Sequence, residues 1–239
     1  MKKRIGFLFA DEMEFLPFAE YALRHGGEKV QETPLEVVSL PTETAMIFAI
    51  HSGVGKVCAT MAAMTLILEY RVEALLNAGL SGAVSKLQRG DMIAGTTYVE
   101  CDFDVRVFGR RLGEKIEGDY LHQADPCLLE AASGLTGMKK GPLGSGDFFL
   151  HTEEKKKEYR EEFSVLAFDM ESAAIACACD RFSVPFLSVR KISDDADDTA
   201  AESYREMNQL AEFSLSEILL KIVERLSSTQ GPRPKNAQA

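Results

Sequence analysis

Ile5 to Ala10 is an unbroken apolar run that stops at Asp11-Glu12, the pattern of a buried first strand feeding a helix over about residues 13–25. Leu35 to Leu40 and Ala45 to Ile50 flank Pro41-Thr42-Glu43, so the spacing predicts strand, turn and strand, ending at His51-Ser52-Gly53. From Lys56 to about Tyr70, the residues Val57, Met61, Met64 and Leu68 recur every three or four positions. That period predicts a helix with this stripe in the core. Ala74 to Gly79 reads as a buried strand, and Met92 to Glu100 as another, rich in β-branched and aromatic residues.

The second half repeats the alternation. Helices are predicted near 125–134 and 153–162 and from Ser172, and strands over Val165 to Phe168 and Pro185 to Ile192, with a glycine-rich strand edge at Gly144-Ser145-Gly146-Asp147. Leu215, Ile218, Leu219, Ile222, Val223 and Leu226 share one face of a final helix. Such alternation predicts a single α/β domain over residues 1–226, built as three α/β/α layers around a mostly parallel, twisted sheet. The segment 227–239, with two prolines and almost no apolar residue, is expected to be a mobile tail.

Charge narrows the functions open to such a domain. Among 239 residues, 37 Asp+Glu outweigh 27 Lys+Arg, a net charge of −10, which argues against nucleic acid or an anionic membrane as partner. No uncharged run approaches the ~20 apolar residues of a membrane-spanning helix. The basic start Met1-Lys2-Lys3-Arg4 lacks the cleavage pattern of a signal peptide, so the cytoplasm is the expected location. Cys58, Cys101, Cys127, Cys177 and Cys179 show no CxxC spacing and read as free, mostly buried thiols. His25, His51, His122 and His151 are scattered and read as structural or surface groups. No ligand cluster implies a metal or an organic cofactor.

Two glycine motifs suggest nucleotide binding and neither completes its pattern. Ser52-Gly53-Val54-Gly55-Lys56 lacks the flanking residues of a phosphate loop, and Gly79-Leu80-Ser81-Gly82 lacks the full dinucleotide fingerprint. Both fit turns that bring backbone to a ligand at the carboxyl ends of parallel strands. Glu14, Asp169, Glu171, Asp194, Asp195, Asp197 and Asp198 fall just beyond predicted strands, where an open α/β sheet places its crevice. Any one of them could cap a helix or face water. Paired there, carboxylates can instead serve as general acid and general base.

Glu14 after the first strand, Ser52 to Lys56, Asn77-Ala78-Gly79, Ser145-Gly146-Asp147, Met170-Glu171 and Arg190-Lys191-Ile192-Ser193-Asp194 follow one another in an order that resembles the nucleoside phosphorylase superfamily. The resemblance spans about residues 4–226 and is nearest to the 5′-methylthioadenosine/S-adenosylhomocysteine nucleosidases. It implies cleavage of an N-glycosidic bond through an oxocarbenium-like ribose, with adenine leaving after N7 is protonated. It further implies that Asp194 is the acid, oriented by Ser193, and that Glu14 with Arg190 positions and deprotonates water. Glu171 would hold the ribose hydroxyls beneath Met170, while Phe149 stacks on the base and the Leu150 backbone reads its edge. For these roles Asp194 needs a raised pKa, which burial and the charges of Asp195, Asp197 and Asp198 could supply. Glu14 needs an ionised state, which Arg190 favours.

The resemblance also implies a homodimer in which Val105 and Phe108 of a neighbouring subunit close the 5′ end of the pocket, opposite Val54 and Tyr204. The plainer reading makes Val105 and Phe108 ordinary core. Three positions depart from the nucleosidase pattern: Asp11 replaces an apolar residue, Leu80 a small polar one and Tyr204 a phenylalanine. A phenol tip seeks a hydrogen-bond partner when buried, which a methylthio group does not readily supply. Hydrolysis is expected over phosphorolysis, because Asp11, Glu12 and Glu14 crowd the first loop with no arginine before Arg24. A phosphate-dependent purine nucleoside phosphorylase and a nucleoside-binding protein without turnover are the alternatives.

Overall fold

The structure, a computed structural model, describes residues 2–208 and 214–229. Its first strand, β1 (Lys3–Phe9), is buried from Ile5 onward and lies between β4 (Ala45–His51) and β5 (Ala74–Ala83), parallel to both. Helix α1 (Glu12–Arg24) begins directly after β1, where Asp11 caps it and accepts a hydrogen bond from Met13 N at 2.7 Å. β2 (Glu28–Gln31) and β3 (Val37–Pro41) extend the sheet beyond β4 as antiparallel strands.

The rest of the sheet curls. β6 (Met92–Glu100), β8 (Met138–Ser145), β9 (Ala167–Asp169) and β10 (Phe186–Asp194) join β5 in a closed ring, since β10 pairs with both β5 and β6. The short strand β7 (Leu121–Gln123) pairs with β6 outside the ring. The α/β architecture is as the sequence predicts. The sheet is mixed rather than mostly parallel, however, with five parallel pairings and five antiparallel ones. Two causes account for four of the five antiparallel pairings, the fifth being that of β7 with β6. Short turns force β2, β3 and β4 to alternate in direction, and ring closure sets β10 against β6 and β5 against β9.

The helices pack in two groups. α2 (Lys56–Leu68) lies on α5 (Ser172–Phe182), while α3 (Pro126–Ser133) and α1 pack on α7 (Ser214–Thr229). α4 (Glu153–Phe163) and α6 (Ala200–Asn208) complete the set, and a single 3-10 turn covers Arg106–Phe108. Periodicity did not announce β2, β7, the 3-10 turn or α6, all of them short or weakly apolar. α7 runs to Thr229, past the predicted start of the tail, and the remainder of 227–239 lies outside the described residues. Among the described residues, no helix is long and apolar enough to cross a membrane.

The α2 stripe is a correction. Of the stripe, Met64 is half-buried against the core, but Val57, Met61 and Leu68 are 69%, 54% and 55% exposed, and the buried face is instead Ala59, Ala62, Ala63, Leu66 and Ile67. The helix is apolar on both sides, so period alone does not say which face meets the sheet. Small alanines win that place because they let α2 approach β1 and α5 closely. The thiols are free, as expected, but only Cys101 and Cys179 are fully buried.

Candidate active site

The carboxyl ends of β1, β4, β5, β9 and β10 converge on a cavity of about 280 Å³. Glu14, Arg190, Asp194, Phe149, Leu150, Met170, Glu171, Ser193, Val54 and Tyr204 all line it, ten residues drawn from six separated segments of the chain. Val105 and Phe108 do not. Val105 precedes the 3-10 turn and is half-buried, while Phe108 ends it and is 70% exposed, which excludes the reading of Phe108 as ordinary core.

Arg190 is the hub. It is the largest fully buried side chain, and its Nη2 donates to Asn77 Oδ1 at 2.6 Å and to Ser172 Oγ at 2.9 Å. Its Nε lies 3.2 Å from Asp169 Oδ2, and its Nη1 lies 3.5 Å from Glu171 Oε2. Burial alone would drive its pKa down, but Asp169, Glu171 and Glu14 hold it above the ordinary value. Asp169 is itself fixed by Ser145 Oγ at 2.7 Å and Ser172 Oγ at 2.6 Å. Sequence reading passed over Ser172 and Ser188 and saw Asn77 only as part of a motif. The available signal was a polar residue inside an otherwise apolar buried strand, at Leu76-Asn77-Ala78 and Leu187-Ser188-Val189.

Glu14 stands one turn into α1 because the Asp11 cap starts the helix there. Its Oε2 accepts from Asp11 N at 3.3 Å and its Oε1 from Leu80 N at 2.8 Å. Gly79 makes room for it, since a Cβ at that position would sit 2.6 Å from Arg190 Nη1 and 2.9 Å from Glu14 Oε1. Burial raises the Glu14 pKa to about 7, with Arg190 opposing the shift. Arg190 favours the ionised form, as expected, but desolvation outweighs a guanidinium already shared among three carboxylates.

Glu171 begins α5 and reaches across to α2. Its Oε1 accepts from Gly55 N at 3.0 Å, and Gly55 holds a φ of +99° that only glycine adopts readily. Burial raises its pKa as well. Asp194 ends β10 with Oδ2 2.6 Å from Ser193 Oγ and Oδ1 2.9 Å from Ala196 N. Burial raises its pKa, and Asp195 and Asp197 add to the shift, in the direction an acid needs. Phe149 and Tyr204 meet edge to face at 5.6 Å on the cavity wall, and burial first, then nearby carboxylates, raise the Tyr204 phenol.

A curled mixed sheet gathers buried carboxylates around an arginine hub at its strand ends, an α/β arrangement able to support acid–base chemistry. The chain belongs to the phosphorylase superfamily, whose family model matches residues 4–224. An aminodeoxyfutalosine nucleosidase from Helicobacter pylori is 31% identical over 186 residues, 75% of this chain and 81% of that protein. The crystal structure of a 5′-methylthioadenosine/S-adenosyl homocysteine nucleosidase from Helicobacter pylori superposes with a TM-score of 0.87 at 28% identity, covering 93% of this chain and 98% of that one. The futalosine hydrolase of Helicobacter pylori gives 0.87 at 27% identity, with 93% and 97% covered. These relatives support a nucleosidase within the superfamily.

Proposed function

We propose that the protein is a cytoplasmic, homodimeric N-glycosidase that hydrolyses a 5′-substituted adenine nucleoside, of the 5′-methylthioadenosine or S-adenosylhomocysteine kind, and releases adenine. The observation that carries this reading is the charge of the cavity wall. Asp11, Glu14, Asp169, Glu171 and Asp194 line it, with Arg190 as the only cation among the described residues there. Asp194, its pKa raised by burial, gives a proton to N7 as the C1′–N9 bond breaks. Glu14 takes a proton from water as the water oxygen bonds to C1′. A Glu14 pKa of about 7 suits a base working near neutral pH. Glu171 accepts hydrogen bonds from the ribose hydroxyls, and Phe149 stacks on the base.

Hydrolysis is favoured over phosphorolysis by the same wall. A phosphate dianion needs free cations or backbone donors. Arg190 is already bound by Asp169, Glu171, Asn77 and Ser172, and Leu80 N is taken by Glu14. Assembly as a dimer is supported by the exposed face of α2 and by the exposed Phe108, apolar surface of a kind that marks an interface. Val105 and Phe108 of the partner would then close the 5′ end of the cavity. The adenine nucleosides named for the relatives share the base and differ beyond C5′. The reading is tested by following adenine release from 5′-methylthioadenosine, S-adenosylhomocysteine and aminodeoxyfutalosine with and without phosphate. Equal rates are expected in both buffers, and a ribose 1-phosphate product would favour the phosphorylase instead.

A further inference from the structure

Helix α2 has no cap of its own. Its N-cap residue is Gly55, which has no side chain to offer the first turn, so the N–H groups there need an acceptor from elsewhere. Asp147 supplies one from 91 positions away. Its Oδ1 accepts from Lys56 N at 2.8 Å, which sets a carboxylate at the positive end of the helix dipole. Asp147 is exposed, and it lies two residues past β8 in the loop that carries Phe149 and Leu150 to the cavity.

A third segment closes the arrangement. Asp102, two residues past β6, accepts from Asp147 N at 2.8 Å through Oδ2 and from Lys56 Nζ at 2.8 Å through Oδ1. The neighbouring N–H of the helix start serves the cavity, since Gly55 N donates to Glu171 Oε1 at 3.0 Å. Two consecutive N–H groups of one turn therefore hold two carboxylates, Glu171 in the cavity wall and Asp147 in the loop. Helix start and loop are in contact, for a Cβ at Gly55 would lie 3.2 Å from Asp147 Oδ1.

Resting on the nucleosidase reading, we propose that Asp147 is a positioning residue, which by capping α2 from the loop fixes Glu171, the holder of the ribose, relative to Phe149, which stacks on the base. Asp147 itself touches neither substrate nor reacting atoms. Without its carboxylate the first turn of α2 loses its acceptor and loosens, so Gly55 N no longer holds Glu171 in place. The loop loses its tie to the helix at the same time. Ribose and base are then less well fixed on the two sides of the bond that breaks.

The test compares Asp147→Ala and Asp147→Asn with the wild type on two probes. One is adenine, which meets the loop but not Glu171; the other is 5′-methylthioadenosine or whichever 5′-substituted adenine nucleoside the wild type cleaves. Truncating an exposed side chain opens no cavity, so both variants are expected to fold. Asp147→Ala is expected to raise the adenine Kd about threefold and the nucleoside KM about tenfold, with kcat lowered by a smaller factor, because only the nucleoside also feels Glu171. Asparagine keeps an oxygen for Lys56 N, so Asp147→Asn is expected to stay within about twofold of the wild type on both probes. An unchanged KM in the alanine variant overturns the assignment. Equal rises for the two probes overturn it as well, by detaching Asp147 from Glu171, and so does an asparagine variant as impaired as the alanine one. An alanine variant that does not fold makes Asp147 structural and overturns it too. A wild type that releases no adenine overturns the functional reading itself, and is seen before any variant is made.

Discussion

Replacing Glu14 by glutamine separates what this residue does for stability from what it does for chemistry. The folded protein raises its pKa from 4.5 to about 7. A group whose folded pKa lies above its unfolded value contributes stability that is full below pH 4.5 and is lost as pH climbs through 7. The gap between 4.5 and about 7 makes ionised Glu14 a burden of about 3 kcal/mol at pH 8.5 but of about 1 kcal/mol or less at pH 5. Glutamine keeps the shape and an acceptor for Leu80 N and carries no charge. Glu14→Gln is therefore expected to be the more stable protein, by a margin that grows from pH 5 to pH 8.5 and levels off above about pH 8. Urea unfolding of both proteins at one concentration, at half-unit pH steps, reads the margin directly. Adenine release by the variant should meanwhile fall by about 10²- to 10⁴-fold. A margin that is flat with pH, or a wild type that gains on the variant as pH rises, would sink the claim that burial governs this carboxylate.

Asp194→Asn should lower turnover by about 10²- to 10⁴-fold while leaving the melting temperature level or higher, because the lost group is one that burial disfavours when charged. Retention of wild-type turnover would remove Asp194 from the mechanism. Gly79→Ala puts a methyl 2.6 Å from Arg190 Nη1, so it should cost about 1–3 kcal/mol in unfolding and about 10²-fold in rate by moving Glu14; an active, equally stable variant would contradict the tight packing. Met61→Glu on the exposed face of α2 should yield a monomer by analytical ultracentrifugation with weakened substrate binding. A wild type that is itself monomeric and fully active would refute the shared pocket.

The residues proposed to do chemistry were legible because they stand at or just beyond the ends of strands. An apolar run broken by an acid, as at Ala10-Asp11 or Ile192-Ser193-Asp194, shows in one dimension both the buried element and the exposed chemistry of its tip. What holds those residues was not legible in the same way. Asn77 and Ser188 meet across 111 positions of chain, at 2.9 Å, only because β10 lies beside β5, and no local pattern encodes that adjacency. The exposed face of α2 was misread for a related reason. Val57, Met61 and Leu68 carry the period of a buried stripe, but the alanines opposite allow the closer approach, and an apolar face that meets solvent in one chain looks in sequence like one that meets the core.

One electrostatic condition accounts for the acid, the base and the choice of nucleophile together. Five carboxylates line a cavity whose one guanidinium is shared among three of them, Asp169, Glu171 and Glu14. Arg190 can neutralise Asp169 and Glu171 through direct contacts, but its charge is then largely spent, and burial is left to set the pKa values of Glu14 and Asp194, raising both. A second cation in the wall would lower those values, leaving Asp194 too weakly protonated to assist the base as it departs, and it would also offer phosphate a foothold. Without that cation a dianion is repelled by the surplus of negative charge, while water, being neutral, is admitted and finds in Glu14 a base of suitable strength. On the proposed mechanism the wall selects water by the same shortage of positive charge that leaves burial to raise the Asp194 pKa, and a variant that placed a lysine at Leu80 should lose hydrolysis at neutral pH before it gained any use of phosphate.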